Sequence, residues 1–452
     1  MPSSELFDYE PVRRPKNTRL SDPEPFPRRA TEPIKDEFVA PQEPELVRAV
    51  PKPYVPPGHA LSFAGLFLFL LIVYVRPYEF FPSASWMRSI AFWAAIVTLM
   101  IYVPTQLALD GKITIWTREA KLILGLLVFA LLSIPQALDP LLAWNGFVDY
   151  LKVVLMFVVL INVVRTEGRL RLLLLLVLIV SCVLSIGAIN DYMAGNLMLG
   201  GKRIRGVIGG MFANPNDLAL HLVTIIPIAV ALLFTSRSIL KKLFYLLAAI
   251  LMTAGVVVTF SRGGFLALMC MGAVLVWRIG RSNKWLVLLV LPVVLVAFIA
   301  LAPGGYGNRL ATTGDESAVA RLDDLKRSIF ITLHHPLLGV GMENYILFSN
   351  SNHATHNSYT EVSSELGLIA FLLYVLFQIA PLRGLAKITR ATSNSRRESH
   401  CYYLSVGLAA SIIGYMVASF FASVSFLWYV YFLVGYAVCL RRLYEASDEH
   451  VL

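Results

Sequence analysis

The chain has 452 residues, of which 57% are apolar and only 15% are charged, and its formal net charge is +10. A soluble domain of this length does not tolerate so apolar a composition, so the sequence predicts a protein embedded in a membrane. A positive net charge can also indicate a nucleic-acid partner. Here the basic residues fall in short loops between apolar runs, which is typical of topology control, and no nucleic-acid binding is expected.

The amino-terminal stretch, residues 1–58, is different in kind. It is rich in Pro, Glu and Arg and lacks an apolar run. Such a segment buries too little surface to offset the entropy of ordering it, and it lacks the hydrophobic stretch of a signal peptide. We predict a disordered, Pro-rich cytoplasmic tail, for which a solvated role and a partner-docking role are both open.

Apolar runs recur through residues 59–442, and each is long enough to cross about 30 Å of hydrocarbon as a helix. We therefore predict an all-α polytopic membrane protein with about twelve transmembrane helices. The predicted spans cover residues 61–75, 89–103, 120–137, 147–164, 170–189, 217–234, 239–260, 263–279, 285–302, 361–379, 402–421 and 425–440. Residues 443–452 are predicted to form a second cytoplasmic tail.

Lysine and arginine residues mark alternate loops between the predicted spans. Cytoplasmic loops of membrane proteins carry an excess of these residues, so we assign the marked loops and both termini to the cytoplasmic side. The marked loops contain Lys112, Arg118, Arg165, Arg169, Arg171, Arg237, Lys241, Lys242, Arg278, Arg281, Lys284, Arg383, Lys387, Arg390, Arg396 and Arg397. The opposite loops are poor in cations, and Arg76, Arg203, Arg205 and Arg262 are among the exceptions.

Residues 303–359 are predicted to form one long loop on the outer side. Within it, residues 317–334 have the periodicity of an amphipathic helix. Its apolar face contains Val319, Leu322, Leu325 and Ile329. Pro336 ends this helix, and the glycines that follow turn the chain. We expect the helix to lie on the membrane interface and to cover a cavity.

Two of the exceptional arginines lie in a Gly-rich loop ahead of the sixth predicted span. A paired Arg203-Ile-Arg205 in such a loop favours binding of phosphate or carboxylate, because a guanidinium can hold these anions through two parallel hydrogen bonds. The Asn-Pro-Asn sequence that follows indicates a helix cap, formed by Asn214 or Asn216, to which a substrate contact can be added.

Arg262 lies in a short reversal between the seventh and eighth predicted spans. Ser261 can end the first helix, and Gly263-Gly264 allow tight backbone geometry. Two interpretations of the arginine are open. It is either an anchor that extends to the membrane interface or a ligand for an anion inside the helical bundle.

Histidines cluster in the outer loop. His353 and His356 form an H-x-x-H pair, but the spacing of a known zinc site does not appear. A neutral imidazole, with an ordinary pKa near ~6.5, can instead take a proton from an attacking hydroxyl. The residues alone leave an incidental surface role and a metal pair open; we favour acid–base chemistry and expect neither a metal nor a cofactor.

The predicted spans carry almost no charge at mid-membrane depth. Transporters coupled to protons or ions usually place ionisable residues there. The sequence therefore argues against that class.

Taken in order, the outer-side motifs resemble those of the O-antigen ligase and O-antigen polymerase superfamily of polytopic glycosyltransferases. The resemblance covers predicted spans five to twelve. It rests on Phe212-Ala-Asn-Pro-Asn216, Phe260-Ser-Arg-Gly-Gly264, His335-Pro-Leu-Leu-Gly-Val-Gly341, and His356-Asn357 followed by Glu365-Leu-Gly367. Each motif is weak alone, and their order and common side make the combination fairly specific. The long amino-terminal tail departs from the family pattern.

This resemblance implies an inverting transferase that moves a glycan from an undecaprenyl diphosphate carrier to an acceptor at the outer, periplasmic face of the bacterial inner membrane. It implies catalytic roles for Arg205 and Arg262, which hold the donor diphosphate, and for His356, which deprotonates or orients the acceptor hydroxyl. The expected substrate-binding residues are Arg203, Asn214, Asn216, Ser261, His335, His353 and Asn357.

Residues 59–442 are then a transmembrane glycosyltransferase domain. The expected partners are the undecaprenyl diphosphate-linked donor, membrane lipids, and a glycolipid, protein or growing glycan as acceptor. A ligase moves finished glycan onto lipid A-core or protein, whereas a polymerase extends a chain of repeat units, and the sequence does not separate them. A polysaccharide exporter or flippase is the alternative from a different class.

Overall fold

The computed structural model describes residues 58–80, 89–196, 204, 212, 214–279, 316–349, 354–393 and 399–448. These ranges fold almost entirely into helices. In chain order the helices are α1 Ala60–Val75, α2 Pro77–Phe80, α3 Ile90–Asp110, α4 Arg118–Leu132, α5 Pro140–Val163, α6 Glu167–Met193, α7 Pro215–Thr235, α8 Ile239–Val258, α9 Arg262–Ile279, α10 Glu316–His334, α11 Ser358–Thr392, α12 Ser399–Ala418 and α13 Trp428–Asp448. Short 3-10 turns follow α4 at Ile134–Gln136, precede α11 at Asn344–Phe348, and follow α12 at Ser419–Phe421.

Within the described residues, nine helices are long and apolar enough to cross a membrane. They are α3, α4 together with the turn after it, α5 to α9, α11, and α12 together with the turn after it. The first predicted span corresponds to the shorter α1, and the last corresponds to α13. The predicted span 285–302 lies outside the described residues, as does nearly all of the predicted tail 1–58. The polytopic all-α class is therefore confirmed, and the count of about twelve spans stays a prediction.

Polar side chains at the helix starts explain several of the observed boundaries. The side chains of Thr117, Asp139, Thr166, Asn214 and Asn357 each accept a hydrogen bond from a backbone N–H in the first turn of the helix that follows. These N–H groups have no partner inside the helix, so a side-chain oxygen at the cap satisfies them. Asn214 therefore has the capping role that the sequence predicted.

Helix α11 is much longer than the predicted span 361–379 and is broken near its start. Gly367 has φ 88 and ψ 175 there, a conformation essentially restricted to glycine. The turn after α10 packs against this break: Leu368 N–H donates to Pro336 O at 2.8 Å. A Cβ on Gly367 would lie 2.4 Å from Leu337 O. The His-Pro-Leu-Leu-Gly-Val-Gly sequence thus fills the gap left by a helix break.

Helix α10 confirms the predicted amphipathic helix and shows which side of it packs. Asp324, Ser328 and Thr332 are buried, and Thr332 Oγ1 lies 2.9 Å from Ser363 Oγ on α11. Most of the predicted apolar face is exposed instead, including Val319 and Leu322 at 51% each. The face that carries Asp324, Ser328, Ile331 and Thr332 therefore packs on the protein, and most of the predicted apolar face points outward.

Many of the arginines of the predicted cytoplasmic loops gather at one end of the bundle, which we call the basic end. Arg165 pairs with Asp110 at 2.5 Å. Arg441 Nη1 and Nη2 donate to the Glu119 carboxylate at 2.7 and 2.9 Å. Arg278, at the end of α9, accepts a hydrogen bond from Tyr402 through its carbonyl group at 2.6 Å. The starts of α4, α6 and α12 and the ends of α3, α5, α9 and α13 lie at this end.

Helices α7 and α12 pack closely in the centre of the bundle. A Cβ on Gly407 of α12 would lie 2.7 Å from Ala231 Cβ of α7. The starts of α7 and α9 and the end of α12 lie at the end of the bundle opposite the basic end, and we call this the motif end.

Candidate functional site

The Ser-Arg-Gly-Gly turn is built against the first turn of α7. Ser261 Oγ accepts a hydrogen bond from Gly264 N–H at 3.1 Å, so Ser261 caps α9 and Arg262 is the first residue of that helix. A Cβ on Gly264 would lie 2.6 Å from Ala219 Cβ. Only glycine allows this approach, which sets the arginine beside the start of α7.

Gly263 makes the same kind of contact on another side of the turn. A Cβ there would lie 2.6 Å from Phe421 Cβ. Phe421 belongs to residues 419–427, which connect α12 to α13 and which we call the α12–α13 linker. The first turn of α9 is therefore held between α7 and this linker.

His356 lies in a turn that is attached to the same linker. The residue has φ 53, in the left-handed region, and its side chain is half-buried. Thr355 Oγ1 lies 3.1 Å from Ser423 Oγ. The Asn357 side chain accepts hydrogen bonds from Tyr359 N–H at 2.9 Å and from the next N–H at 3.2 Å. The two neighbours of His356 thus fix the turn.

The start of α11 strengthens this attachment. Ser358 Oγ donates to Ala422 O at 2.7 Å and accepts from Val424 N–H at 3.0 Å. The Glu361 carboxylate accepts from Ser425 N–H at 3.2 Å and also from the Ser425 hydroxyl. One short linker therefore contacts both the Arg262 turn and the His356 turn and brings these two predicted motifs together.

A buried carboxylate, that of Glu365, organises the loop ahead of the His356 turn. The side chain of Glu365 is 4% exposed and accepts hydrogen bonds from Glu343 N–H at 2.9 Å and Tyr345 N–H at 3.4 Å. Gly341 N–H donates to the Glu365 carbonyl at 2.9 Å. The Glu-Leu-Gly motif thus holds the outer loop onto α11.

The remaining predicted site residues fall into two groups. Arg203, Arg205 and His353 lie outside the described residues, and their roles stay predictions. Asn216 is half-buried in the first turn of α7, where its N–H donates to the Asn214 side chain at 2.9 Å. His335 is exposed at the end of α10, and its carbonyl accepts from Gly339 N–H at 3.1 Å.

The aromatic residue at the start of the Phe-Ala-Asn-Pro-Asn motif is buried at the motif end. The Phe212 ring lies 5.1 Å from the His221 ring and 6.3 Å from the Tyr429 ring, between centroids. This contact docks the motif against α7 and α13.

The residues that join the motifs were not among the predicted site residues. Ser423 and Ser425 lie in the α12–α13 linker, where the predicted spans 402–421 and 425–440 leave a gap of only a few residues. Thr355 belongs to none of the motifs named above. Serines crowded between two adjacent spans were the available signal, because buried hydroxyls at such a place need hydrogen-bond partners.

The described residues also contain a His/Cys/Glu group, located at the basic end. Ligand atoms of Glu167, His400 and Cys401 lie within 4.8 Å of one another. His400 Nε2 is 2.7 Å from Glu167 Oε1, and the same carboxylate lies 3.5 Å from Arg171. This group is an ion-pair cluster remote from the motif end.

Together these features define a polytopic helical membrane protein in which the Arg262 and His356 turns meet on one linker at the end of the bundle opposite the basic end. Residues 247–375 match a family model described as O-antigen ligase. The matched stretch contains Arg262, His335, His356 and the Glu-Leu-Gly motif. The match confirms the resemblance to the O-antigen ligase and polymerase superfamily over this part of the chain. No curated protein matches the sequence.

Proposed function

We propose that the protein is an inverting glycosyltransferase of the O-antigen ligase type, which moves a glycan from undecaprenyl diphosphate to an acceptor at the outer face of the inner membrane. The observation that carries the proposal is the α12–α13 linker, which contacts both the Arg262 turn and the His356 turn. Glycosyl transfer from a diphosphate carrier needs two functions close together, a cation for the leaving group and a base for the acceptor.

Arg262 supplies the first function in this proposal. The residue begins α9, where the positive end of the helix dipole adds to the guanidinium charge and favours an anion. A guanidinium can also bind two phosphate oxygens at once, which an ammonium group cannot do in the same geometry. Arg205 is proposed to act with it on the donor diphosphate.

His356 supplies the second function. The acceptor oxygen attacks the anomeric carbon of the donor sugar, the bond from that carbon to the diphosphate oxygen breaks, and the diphosphate leaves as an anion. The acceptor proton moves to the imidazole. Attack from the side opposite the leaving group inverts the anomeric configuration.

The separation of the two ends of the bundle supports the proposed outer location. Cytoplasmic loops are rich in lysine and arginine, so the basic end is proposed to be cytoplasmic and the motif end to face outward. The test uses a cysteine-free background with one cysteine at exposed Leu337 or exposed Ser393. An impermeant reagent should label the two positions from opposite sides of the membrane. Labelling of both positions from the same side would disprove the proposed topology.

Replacement of Arg262 by lysine tests the donor role. Arg262→Lys retains the charge and loses the two-point grip, so we expect most of the transfer activity to disappear at unchanged protein level. Arg278→Lys at the basic end is the matched control and should remain active. Normal transfer by both Arg262→Lys and Arg262→Ala would reduce Arg262 to an interface anchor.

Deletion of the gene distinguishes the two subclasses. Loss of acceptor-linked polymer with polymer retained on the carrier indicates a ligase, whereas accumulation of single repeat units indicates a polymerase. Donor trapped on the cytoplasmic side would contradict both and indicate a flippase.

A further inference from the structure

The ion-pair cluster at the basic end contains three side chains of the kinds that bind transition metals. Glu167 offers a carboxylate from the first turn of α6, and His400 and Cys401 offer an imidazole and a thiol from the first turn of α12. Their ligand atoms lie within 4.8 Å of one another. Among the described residues, no other group of three such side chains lies so close together.

One ring nitrogen of His400 faces both partners. Its Nε2 lies 2.7 Å from Glu167 Oε1 and 3.3 Å from Cys401 Sγ. A tetrahedral zinc ion with bonds of about 2.0–2.3 Å holds neighbouring nitrogen, oxygen and sulfur ligands about 3.3–3.6 Å apart. A widening of roughly 0.6 Å between the nitrogen and the carboxylate oxygen, and of less between the nitrogen and the sulfur, therefore admits the ion.

A nucleophilic triad is the other chemistry that a Cys/His/Glu group supports. In such a triad one ring nitrogen faces the nucleophile and the other faces the carboxylate. Here the thiol and the carboxylate both contact Nε2 of His400. The Cys401 side chain is also buried, which closes it to a substrate. Three ligands around one position fit this geometry better than a nucleophile and its base.

The surroundings of the cluster suit an ion that enters from solvent. Cys401 is buried, whereas the side chains of His400 and Glu167 are 27% and 50% exposed. Water on the open side can supply the fourth ligand of a tetrahedral ion. Arg171 lies 3.5 Å from the other carboxylate oxygen of Glu167, Oε2, while Oε1 faces His400. Outer contacts of this kind orient metal ligands.

The location of the cluster keeps its thiol available for a metal. Cys401 is a free cysteine in the first turn of α12, where the helix dipole favours the thiolate, the form that binds metals. The basic end is proposed to be cytoplasmic, and thiols stay reduced in that compartment. A thiolate with an imidazole disfavours magnesium and calcium, and zinc also accepts the carboxylate.

We propose that Glu167, His400 and Cys401 bind one zinc ion, which joins the start of α6 to the start of α12. The thiol and the imidazole nitrogen release their protons as the ion binds, so the ion-pair cluster becomes a metal site. The length of α12, about 30 Å, separates this ion from the α12–α13 linker, so the ion takes no part in the proposed glycosyl transfer. The inference goes beyond that function and does not depend on it.

The first experiment measures the metal content of the full chain in nanodiscs. The protein carries an affinity tag without histidines, is equilibrated with zinc chloride and is then freed of excess ion. Mass spectrometry of the metal should find one zinc ion per chain in the wild type and almost none in Cys401→Ser or His400→Gln. A wild-type protein without zinc, or a Cys401→Ser variant that retains it, would overturn the proposal.

Two control variants test for zinc bound elsewhere. Cys182→Ser changes another thiol of α6, and His334→Gln changes an exposed imidazole at the end of α10. Both should keep the zinc of the wild type, and a loss equal to that of Cys401→Ser would contradict the site. Glu167→Gln should weaken zinc binding by at least the about 10–100-fold that removal of an outer contact costs.

Cobalt(II) in place of zinc reports whether sulfur is a ligand. A bond between cobalt and a thiolate adds a charge-transfer band in the near ultraviolet. The band should appear in the wild type and in Cys182→Ser and should be absent from Cys401→Ser. A cobalt-loaded wild type without this band would contradict Cys401 as a ligand.

Thermal unfolding tests whether the ion holds the two helices together. Because zinc binds the folded chain, added zinc should raise the unfolding temperature of the wild type, and a chelator should lower it. Cys401→Ser retains the pair of Glu167 and His400 and should fold, with an unfolding temperature that does not respond to zinc. Equal responses of the wild type and Cys401→Ser would overturn the proposal.

Discussion

The role proposed for His356 can be tested without disturbing the turn that holds it. A left-handed conformation costs an ordinary residue about 1–2 kcal/mol, whereas Gly and Asn adopt it readily. His356 has φ 53. His356→Asn and His356→Gly therefore fit the observed backbone better than His356→Ala does, and any loss of activity in them comes from the missing imidazole.

The fold should survive both replacements, because the turn is fixed by its neighbours. Thr355 and Asn357 are 2% and 4% exposed, and their side chains make the hydrogen bonds to the linker and to the first turn of α11. We expect the free energy of unfolding to fall by about 1 kcal/mol or less, because His356 is only half-buried. Asn357→Ala removes a cap and should cost about 1 kcal/mol.

The expected effect on catalysis is far larger. General-base assistance is worth about 10²–10⁴-fold, which corresponds to about 2.7–5.5 kcal/mol of transition-state stabilisation. The assay is glycan transfer from a lipid diphosphate donor at saturating acceptor. His356→Asn should lower kcat by this factor and leave donor binding intact, since the base acts mainly in the transition state.

Two further measurements separate a base from a positioning group. Free imidazole should restore part of the activity of His356→Gly, where the side chain leaves space, and should do nothing for Arg262→Lys. The wild-type rate should fall as the pH drops through the range in which imidazoles titrate, while chelators have no effect. A variant lacking the imidazole that keeps more than about a tenth of the rate would refute the base assignment.

Two other predictions concern stability. Burial and the nearby Arg165 lower the pKa of His59 below its ordinary value of 6.5. Below pH 6.5 the unfolded chain therefore binds a proton at this residue before the folded chain does. The contribution of His59 to the free energy of unfolding is fully present above pH 6.5 and should be lost as the pH falls below that value. In thermal unfolding at several pH values, His59→Gln should reduce this loss, and an identical pH profile would contradict the reasoning. Gly367→Ala should lower the free energy of unfolding by about 1–3 kcal/mol or more, because the new Cβ strains the backbone and clashes with Leu337 O. Gly168→Ala, where a Cβ has room, is its control.

The sequence predicts those helix boundaries that depend on residues next to the boundary. The start of α7 follows from Asn214 and Pro215, and the extent of α10 follows from its periodicity and from Pro336, because these signals act within a few residues of the boundary. The break in α11 is a different case. Gly367 adopts its conformation where the backbone of Leu337 and Leu338 packs against it, and a contact between such distant residues leaves no local pattern.

The packing side of α10 was equally hidden from the pattern. Periodicity shows that Val319 and Leu322 share a face and leaves open which side touches the protein. In a soluble protein the apolar side would be buried. Beside a membrane the apolar side can face lipid, and the hydroxyls of Ser328 and Thr332 are then the ones that need partners inside the protein.

Glu361 and Glu365 have structural roles that their positions in the sequence do not reveal. An acidic residue at the end of a span first indicates chemistry, because burying a charge is costly. Glu361 and Glu365 instead accept hydrogen bonds from backbone N–H groups of the linker and of the outer loop. Helices alone cannot satisfy those N–H groups, since neither segment is helical where it is contacted. Glu361 therefore holds the linker that contacts the Arg262 and His356 turns, and Glu365 holds the outer loop onto α11. In the proposed chemistry the reacting side chains are Arg262, His356 and the arginines of the loop before α7, and the two carboxylates support the backbone around them.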